Sequence, residues 1–272
     1  MKQIIISILF FGLSTVFAQT DNSTFSPYES DEIIYRHEYS VGARLMSNGW
    51  QLFFDRSWIK DIENTRSFQI EFGEIRSYTE KKQSPETPGY RTTSGVDVNR
   101  KKFFYGKQNK FFFLRFAYGN KKIIANKAEK NGVRIGLTYM GGITLGLLKP
   151  YFLELAYEVR NQPGEQYLLV NQKYTDVNED KYLDIYSING ASKFKYGLKE
   201  IEPVPGAYVK LGLNFDFASR EKIVKMIEAG VMLDVFYKRV PIMVDNDDNK
   251  IVNFSAYVSF QIGKRWFYKR NE

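Results

Sequence analysis

Cysteine is absent from all 272 positions of the chain. That excludes a disulfide framework, a thiolate zinc site and a lipid anchor on an N-terminal thiol. Histidine occurs once, at His37, and proline eight times. After the first residues, no stretch approaches the roughly 18–20 unbroken apolar residues that a membrane-crossing helix needs. There is no helix of useful length, no heptad seam and no fixed-period repeat beyond a strand rhythm. Gly141-Gly142 lies inside an alternating stretch and leads into no helix, so it is not a phosphate cradle. The formal net charge of +8 is not gathered into a basic stripe interleaved with aromatics, and no nucleic-acid partner is expected. Anionic lipid headgroups are the simpler counterpart for such a charge.

What the chain does have is alternation. From Ala207 the apolar series runs Val209, Leu211, Leu213, Phe215, Phe217, interleaved with Tyr208, Lys210, Gly212, Asn214 and Asp216. Phe254, Ala256, Val258, Phe260 and Ile262 alternate in the same way with Ser255, Tyr257, Ser259 and Gln261. Successive strand residues point to opposite faces. A fully apolar face opposite one bearing Lys and Asp suits a strand with lipid outside and a polar interior.

The same rhythm recurs at about 38–46, 50–57, 66–75, 111–118, 133–147, 151–158 and 226–238, giving nine strand candidates. Single-chain bacterial barrels have even strand numbers. A tenth strand is placed at about 166–173, with eight strands as the alternative. The expected fold is therefore an all-β, transmembrane, antiparallel up-and-down barrel over 37–272. Ser47-Asn48-Gly49 reads as a tight hairpin. Segments 77–108, 174–205 and 240–250 fall at one end as long outer loops, and 60–65, 119–131 and 218–224 at the other as periplasmic turns.

The first residues agree with this destination. Lys2 precedes an apolar run from Ile4 to Phe17, and Val16-Phe17-Ala18 has the small-x-small form of a cleavage site. Residues 1–18 are read as a secretory signal peptide and 19–36 as a flexible polar lead. The expected localisation is the outer membrane of a Gram-negative bacterium after export and cleavage. Outer-membrane lipids and other envelope proteins are the expected partners.

A secreted β-sandwich also alternates, but three features separate the two. The polar rows carry many glycines, which weaken a water-facing strand yet make room inside a narrow barrel. The apolar rows run for five or six outward positions, close to a tilted crossing. Aromatics recur at row ends, at Tyr39, Trp50, Tyr118, Tyr151, Phe217, Tyr237 and Trp266.

Tyr105-Gly106-Lys107-Gln108-Asn109-Lys110-Phe111, Leu114-Arg115-Phe116-Ala117-Tyr118-Gly119, the stretch Gly142–Tyr151 and Val231-Met232-Leu233-Asp234-Val235-Phe236 resemble segments of an uncharacterised outer-membrane β-barrel family of Bacteroidota. The resemblance implies an outer-membrane barrel and carries over no activity and no catalytic residue.

The inward rows hold a set of charges expected to form a structural lumen network: Arg44, Glu71, Arg115, Arg134, Glu154, Glu158, Lys210, Asp216, Glu228 and Asp234. Charges of both signs in a narrow interior must pair. No catalytic set and no cofactor is expected. His37 could belong to a barrel hydrolase or acyltransferase, but it sits beside Arg36 and Glu38 at a strand entrance, where a solvated histidine is the plainer reading. Asp245, Asp247 and Asp248 are weak calcium candidates, as are Asp176, Glu179, Asp180 and Asp184, although neither run has EF-hand spacing. The function expected is a non-enzymatic integral barrel with a structural or accessory role in the envelope. A porin-like small-solute channel is the rival, and a lipid-modifying or proteolytic barrel enzyme is third.

Overall fold

Alternation closes the sheet on itself. The computed structural model describes residues 35–61, 63–86, 90–92, 95–97, 101–125, 133–159, 167–217, 222–244 and 249–266. Eight strands form a closed antiparallel barrel: β1 (His37–Met46), β2 (Gly49–Ile59), β3 (Asn64–Ile75), β4 (Asn109–Ala125), β5 (Arg134–Pro150), β6 (Glu202–Asp216), β7 (Ile223–Phe236) and β8 (Val252–Trp266). Each pairs with its neighbours in sequence, and β1 pairs with β8 from His37↔Trp266 to Met46↔Tyr257. The strand count is thus eight, the alternative to ten.

The two strands lost from the wall are real strands in another place. Phe152–Glu158 and Tyr167–Lys173 pair with each other from Phe152↔Lys173 to Glu158↔Tyr167, and the first also pairs with Ile188–Ala191. Together they make a separate three-stranded sheet in the connection between β5 and β6. At seven residues each they are shorter than the roughly 9–11 residues a tilted crossing takes. Removing two strands from one connection leaves the ends unchanged. The Ser47-Asn48 turn and the connections 76–108, 151–201 and 237–251 share one end. The strand ends at Ile59, Asn64, Ala125, Arg134, Asp216 and Ile223 share the other.

β6 begins earlier than its alternation suggests and includes Pro203 and Pro205. Both pair with β5 only, since pairing with β7 starts at Gly206↔Phe236. The Pro205 carbonyl accepts from Tyr237 N at 2.9 Å, so the missing N–H faces the chain just past the end of β7. Proline is tolerated where a strand edge is free.

Burial along the wall is inverted relative to a water-soluble sheet. In β7, Glu228 is 2% exposed and Asp234 0%, whereas Val231 is 39% and Val235 43%. Every other barrel strand repeats this, with Leu45, Leu52, Phe72, Tyr118, Ile143, Val209 and Phe260 among the exposed apolar residues. The inward glycines are filled by neighbours. A Cβ at Gly42 would collide with the Phe53 ring, and one at Gly212 with the Tyr257 hydroxyl.

Candidate functional site: a filled lumen under a folded cap

Strand parity sends Arg44 (β1), Glu71 (β3), Arg115 (β4), Lys210 (β6) and Glu228 with Asp234 (β7) into the interior, where their side chains form one connected network. Glu71 is the hub. Its carboxylate lies 3.0 Å from Arg44 Nη1, 3.6 Å from Arg115 Nη1 and 3.8 Å from Lys210 Nζ. Glu228 Oε1 is 3.6 Å from Arg44 Nη2 and 3.5 Å from Lys210 Nζ, and accepts from the Tyr257 hydroxyl at 2.8 Å. Arg115 Nη2 reaches Asp234 at 2.7 Å, while its Nη1 donates to Gln51 Oε1 at 2.9 Å.

Aromatic faces complete the packing. Arg44 lies over Phe53 and Tyr257, at 4.6 and 4.7 Å, and Arg115 over Phe113 and Tyr208, at 3.7 and 4.9 Å. Arg44, Arg115 and Tyr208 are fully buried. An eight-stranded interior is just wide enough for side chains to fill, and here planar guanidinium groups and rings fill it.

A second cluster lies toward the end away from the long connections. Arg265 donates from Nε to Glu38 at 2.9 Å and from Nη2 to Asp216 at 2.6 Å. Lys121 pairs with Asp55 at 3.0 Å, and Asp55 also accepts from Gln69 and Ser57. Arg134, half-buried on β5, stands opposite Asp216 in the register. Glu38, Lys121 and Arg265 fall outside the expected lumen set, and Lys121 belongs to β4 instead of the expected periplasmic turn. Each continues the inward parity of its strand toward the strand end, which is the signal that identifies them.

Glu154 and Glu158, expected in the lumen, stand on the cap strand Phe152–Glu158. Glu154 accepts from Asn189 Nδ2 at 2.8 Å and Glu158 is exposed. Tyr151, read as part of an interface girdle, is buried in the cap. His37 opens β1 at the end away from the cap and stacks on Trp266, with ring centroids 5.5 Å apart. Asp184 is committed as a helix cap, accepting from Tyr186 N and from the Ser187 hydroxyl. Asp245, Asp247 and Asp248 lie outside the described residues. Among the described residues no cluster of three His, Asp or Glu could hold a metal ion.

The cap has an ordinary apolar core of Phe103, Tyr151, Leu153, Leu155, Tyr182 and Ile188. The long connections are tied together through it. The Tyr182 hydroxyl lies 2.8 Å from Lys107 O and 2.9 Å from Tyr151 O, and Tyr105 donates to Leu183 O at 2.8 Å. Gln108 N donates to Ile242 O at 2.9 Å, joining the connection before β4 to the one before β8. Lys107 is buried against Glu80 at 2.7 Å, under the Phe104 ring. Burial lowers the Lys107 ammonium below its ordinary value, opposed by Glu80. Burial also pushes the Tyr151 phenol up to about 12 and Tyr182 well above its usual range. Leu168, Val177 and Tyr186 are exposed on the connection that builds the cap sheet, and Tyr78 and Tyr237 are exposed on the connections beside it.

No known family profile matches the chain, and no curated protein matches it. Among solved structures it is similar to Ail, the attachment invasion locus protein of Yersinia pestis. That match has 9% identity, covers 85% of this chain and 99% of that one, and has a TM-score of 0.40. Neisserial surface protein A is similar at 8% identity over 85% and 97% of the two chains, with a TM-score of 0.37. A major outer membrane protein of Thermus thermophilus is similar at 9% over 85% and 99%, with a TM-score of 0.36. The fold itself stands on this chain's own strand pairing.

Proposed function

We propose that the chain is a non-enzymatic integral outer-membrane β-barrel of a Gram-negative envelope, in which a closed lumen anchors a folded cap that acts as an interaction platform. The observation that carries this reading is the inverted burial of the wall: fully buried Arg, Lys, Glu and Asp inside and a continuous apolar band outside. Soluble monomers rarely expose apolar patches beyond a few hundred Å². A bilayer turns such a band from a liability into an anchor.

The interior does not favour the channel reading. Stacked guanidinium groups and paired carboxylates occupy the cross-section that a solute would need, and eight strands lie far below the sixteen or so at which open aqueous channels occur. The enzyme reading finds its one histidine stacked on Trp266, at the end away from the cap. The exposed tyrosines of the long connections support a role in contact, because tyrosine offers large amphipathic area at low entropic cost.

Insertion into liposomes, read by flotation and by a heat-dependent mobility shift, tests the membrane reading. Planar-bilayer recording tests the closed lumen. The expected result is a floating, heat-modifiable protein with no stepwise conductance. Stable conductance steps would replace this reading with the channel.

A further inference from the structure

A row of rings runs round the outside of the wall near its cap-side rim. Trp50 meets Phe72 at 6.3 Å between centroids, Phe72 stacks on Phe112 at 6.2 Å, and Phe112 meets Phe194 edge-on at 6.3 Å. Phe194 belongs to the connection between β5 and β6, which reads Ser-Lys-Phe-Lys-Tyr-Gly-Leu-Lys over residues 192–199. This segment is tied to the rim of the wall, where the Tyr196 carbonyl accepts from Lys149 Nζ at 2.6 Å, and to the cap strand, where Tyr196 packs on Phe152.

At that height the outward rows of β4 and β5 change from apolar to cationic. Lys110 follows Phe112 and Lys149 follows Leu147, and the register sets Lys110 directly opposite Lys149. Like charges directly opposite one another destabilise a strand pair. Both ammonium groups lie over the Phe194 ring, at 5.4 and 4.6 Å, and its neighbours in sequence, Lys193 and Lys195, are exposed, with Lys195 5.6 Å from the Tyr196 ring.

The nearby carboxylates are already engaged. Glu74 accepts from Trp50 Nε1 and from Arg76, and Glu200 pairs with Lys173. Neither Lys110 nor Lys149 makes an ion pair among the described residues. The result is a positive patch at the rim of the apolar band, with aromatic rings on its lipid side and, among the described residues, no ion pair to Lys110 or Lys149.

We infer that this patch binds the phosphate-bearing headgroup of a lipid in the leaflet on the cap side. Lys110, Lys193 and Lys195 would take the phosphate, Lys149 holds the loop in place, and Phe112 and Phe72 lie along the start of the acyl chains. The inference rests on the membrane-spanning reading. It names one lipid class and one place for it. Trp and Tyr rings at the headgroup level and basic side chains facing anionic lipid are the usual elements of such contacts.

The test is the full chain in nanodiscs of phosphatidylcholine containing a minority of phosphatidylglycerol, with retained lipid counted by native mass spectrometry. The wild type should keep phosphatidylglycerol in preference to phosphatidylcholine. The combined variant Lys110→Gln, Lys193→Gln, Lys195→Gln should lose that preference by about fivefold or more at low salt. The same three positions changed to Arg should restore it. Equal retention by wild type and Gln variant overturns the inference. So does an equal loss on neutralising Lys81, Lys82 and Lys102, elsewhere in the connections. Displacement by inorganic phosphate at matched ionic strength, in place of lipid, would also overturn it by assigning the patch to free phosphate. A protein that never enters the nanodisc and shows no heat-dependent shift overturns the membrane reading as well, so the two failures are distinguishable.

Discussion

The lumen and the cap bury opposite chemistries within one chain. In the lumen, the fully buried groups are Arg44, Arg115, Glu71 and Asp234, and the exposed ones are Leu45, Val209 and Ile143. In the cap, the buried groups are Phe103, Leu153, Leu155 and Ile188, and the charges at Glu158 and Lys199 are exposed. On the proposed membrane reading, the difference follows from the solvent on the far side. A wall facing hydrocarbon leaves its polar row only the interior, where each charge must find its partner from another strand. A cap facing water can release its charges and close on carbon.

The largest expected effect comes from breaking the lumen hub. Glu71→Ala leaves Arg44, Arg115 and Lys210 sharing one carboxylate fewer in a sealed interior. Breaking a buried pair costs about 3–5 kcal/mol. Urea unfolding of the reconstituted protein should register that loss, whereas Glu158→Ala on the cap should fall within about 0.5 kcal/mol of the wild type. Equal effects at the two glutamates would dissolve the distinction between the regions.

The same contrast can be drawn on the surface. Leu211→Arg, on the lipid face of β6, should cost about 2–4 kcal/mol if it lies near the bilayer midplane. Leu168→Arg, exposed on the cap, should cost almost nothing. Near-equal costs would mean that both faces meet water.

Leu153→Ala sharpens the comparison from the cap side. It removes fully buried carbon and should cost about 2–5 kcal/mol locally. Because the cap sheet is separate from the wall, the loss should show as faster proteolysis within 151–201, with the heat-dependent shift of the barrel retained. Loss of that shift would show that cap and barrel unfold as one unit.

A smaller, pH-dependent effect should also separate them. The cap holds Tyr151 and Tyr182 neutral, with Tyr151 pushed up to about 12 from 10.0. A raised folded-state value means that the stabilisation is complete below 10 and is lost as the pH climbs through about 12, because only the open form can ionise freely. Anisotropy of a dye on Val177→Cys should therefore fall over that range while the barrel stays folded, and Tyr182→Phe should blunt the fall. An unchanged titration in Tyr182→Phe would remove Tyr182 from the account.

The wall was legible in the sequence because a sheet with two unlike faces keeps a strict two-residue period. The parity of β6, β7 and β8 alone places Lys210, Glu228, Asp234 and Tyr257 inside. The cap was less legible for a physical reason. Tyr151, Leu153, Leu155 and Tyr157 alternate just as a wall strand does, since a half-buried strand over a soluble core has the same period. What distinguishes them is length, and the partners Phe103, Tyr182 and Ile188, which come from distant segments with no period of their own. Lys121 and Arg265 were hidden because charge near a strand end resembles a turn. The Lys110–Lys149 juxtaposition depends on register, which alternation does not fix.

The central claim is that the apolar rows meet hydrocarbon and the charged rows do not. The absence of native cysteine makes a direct measurement possible. Single cysteines placed in turn from Ile227 to Val235 on β7, spin-labelled in the liposome-inserted protein, report access to oxygen dissolved in lipid. The account predicts a two-residue period with maxima at Ile227, Ala229, Val231, Leu233 and Val235 and minima between them. A flat profile, or maxima at Glu228, Met232 and Asp234, would contradict it.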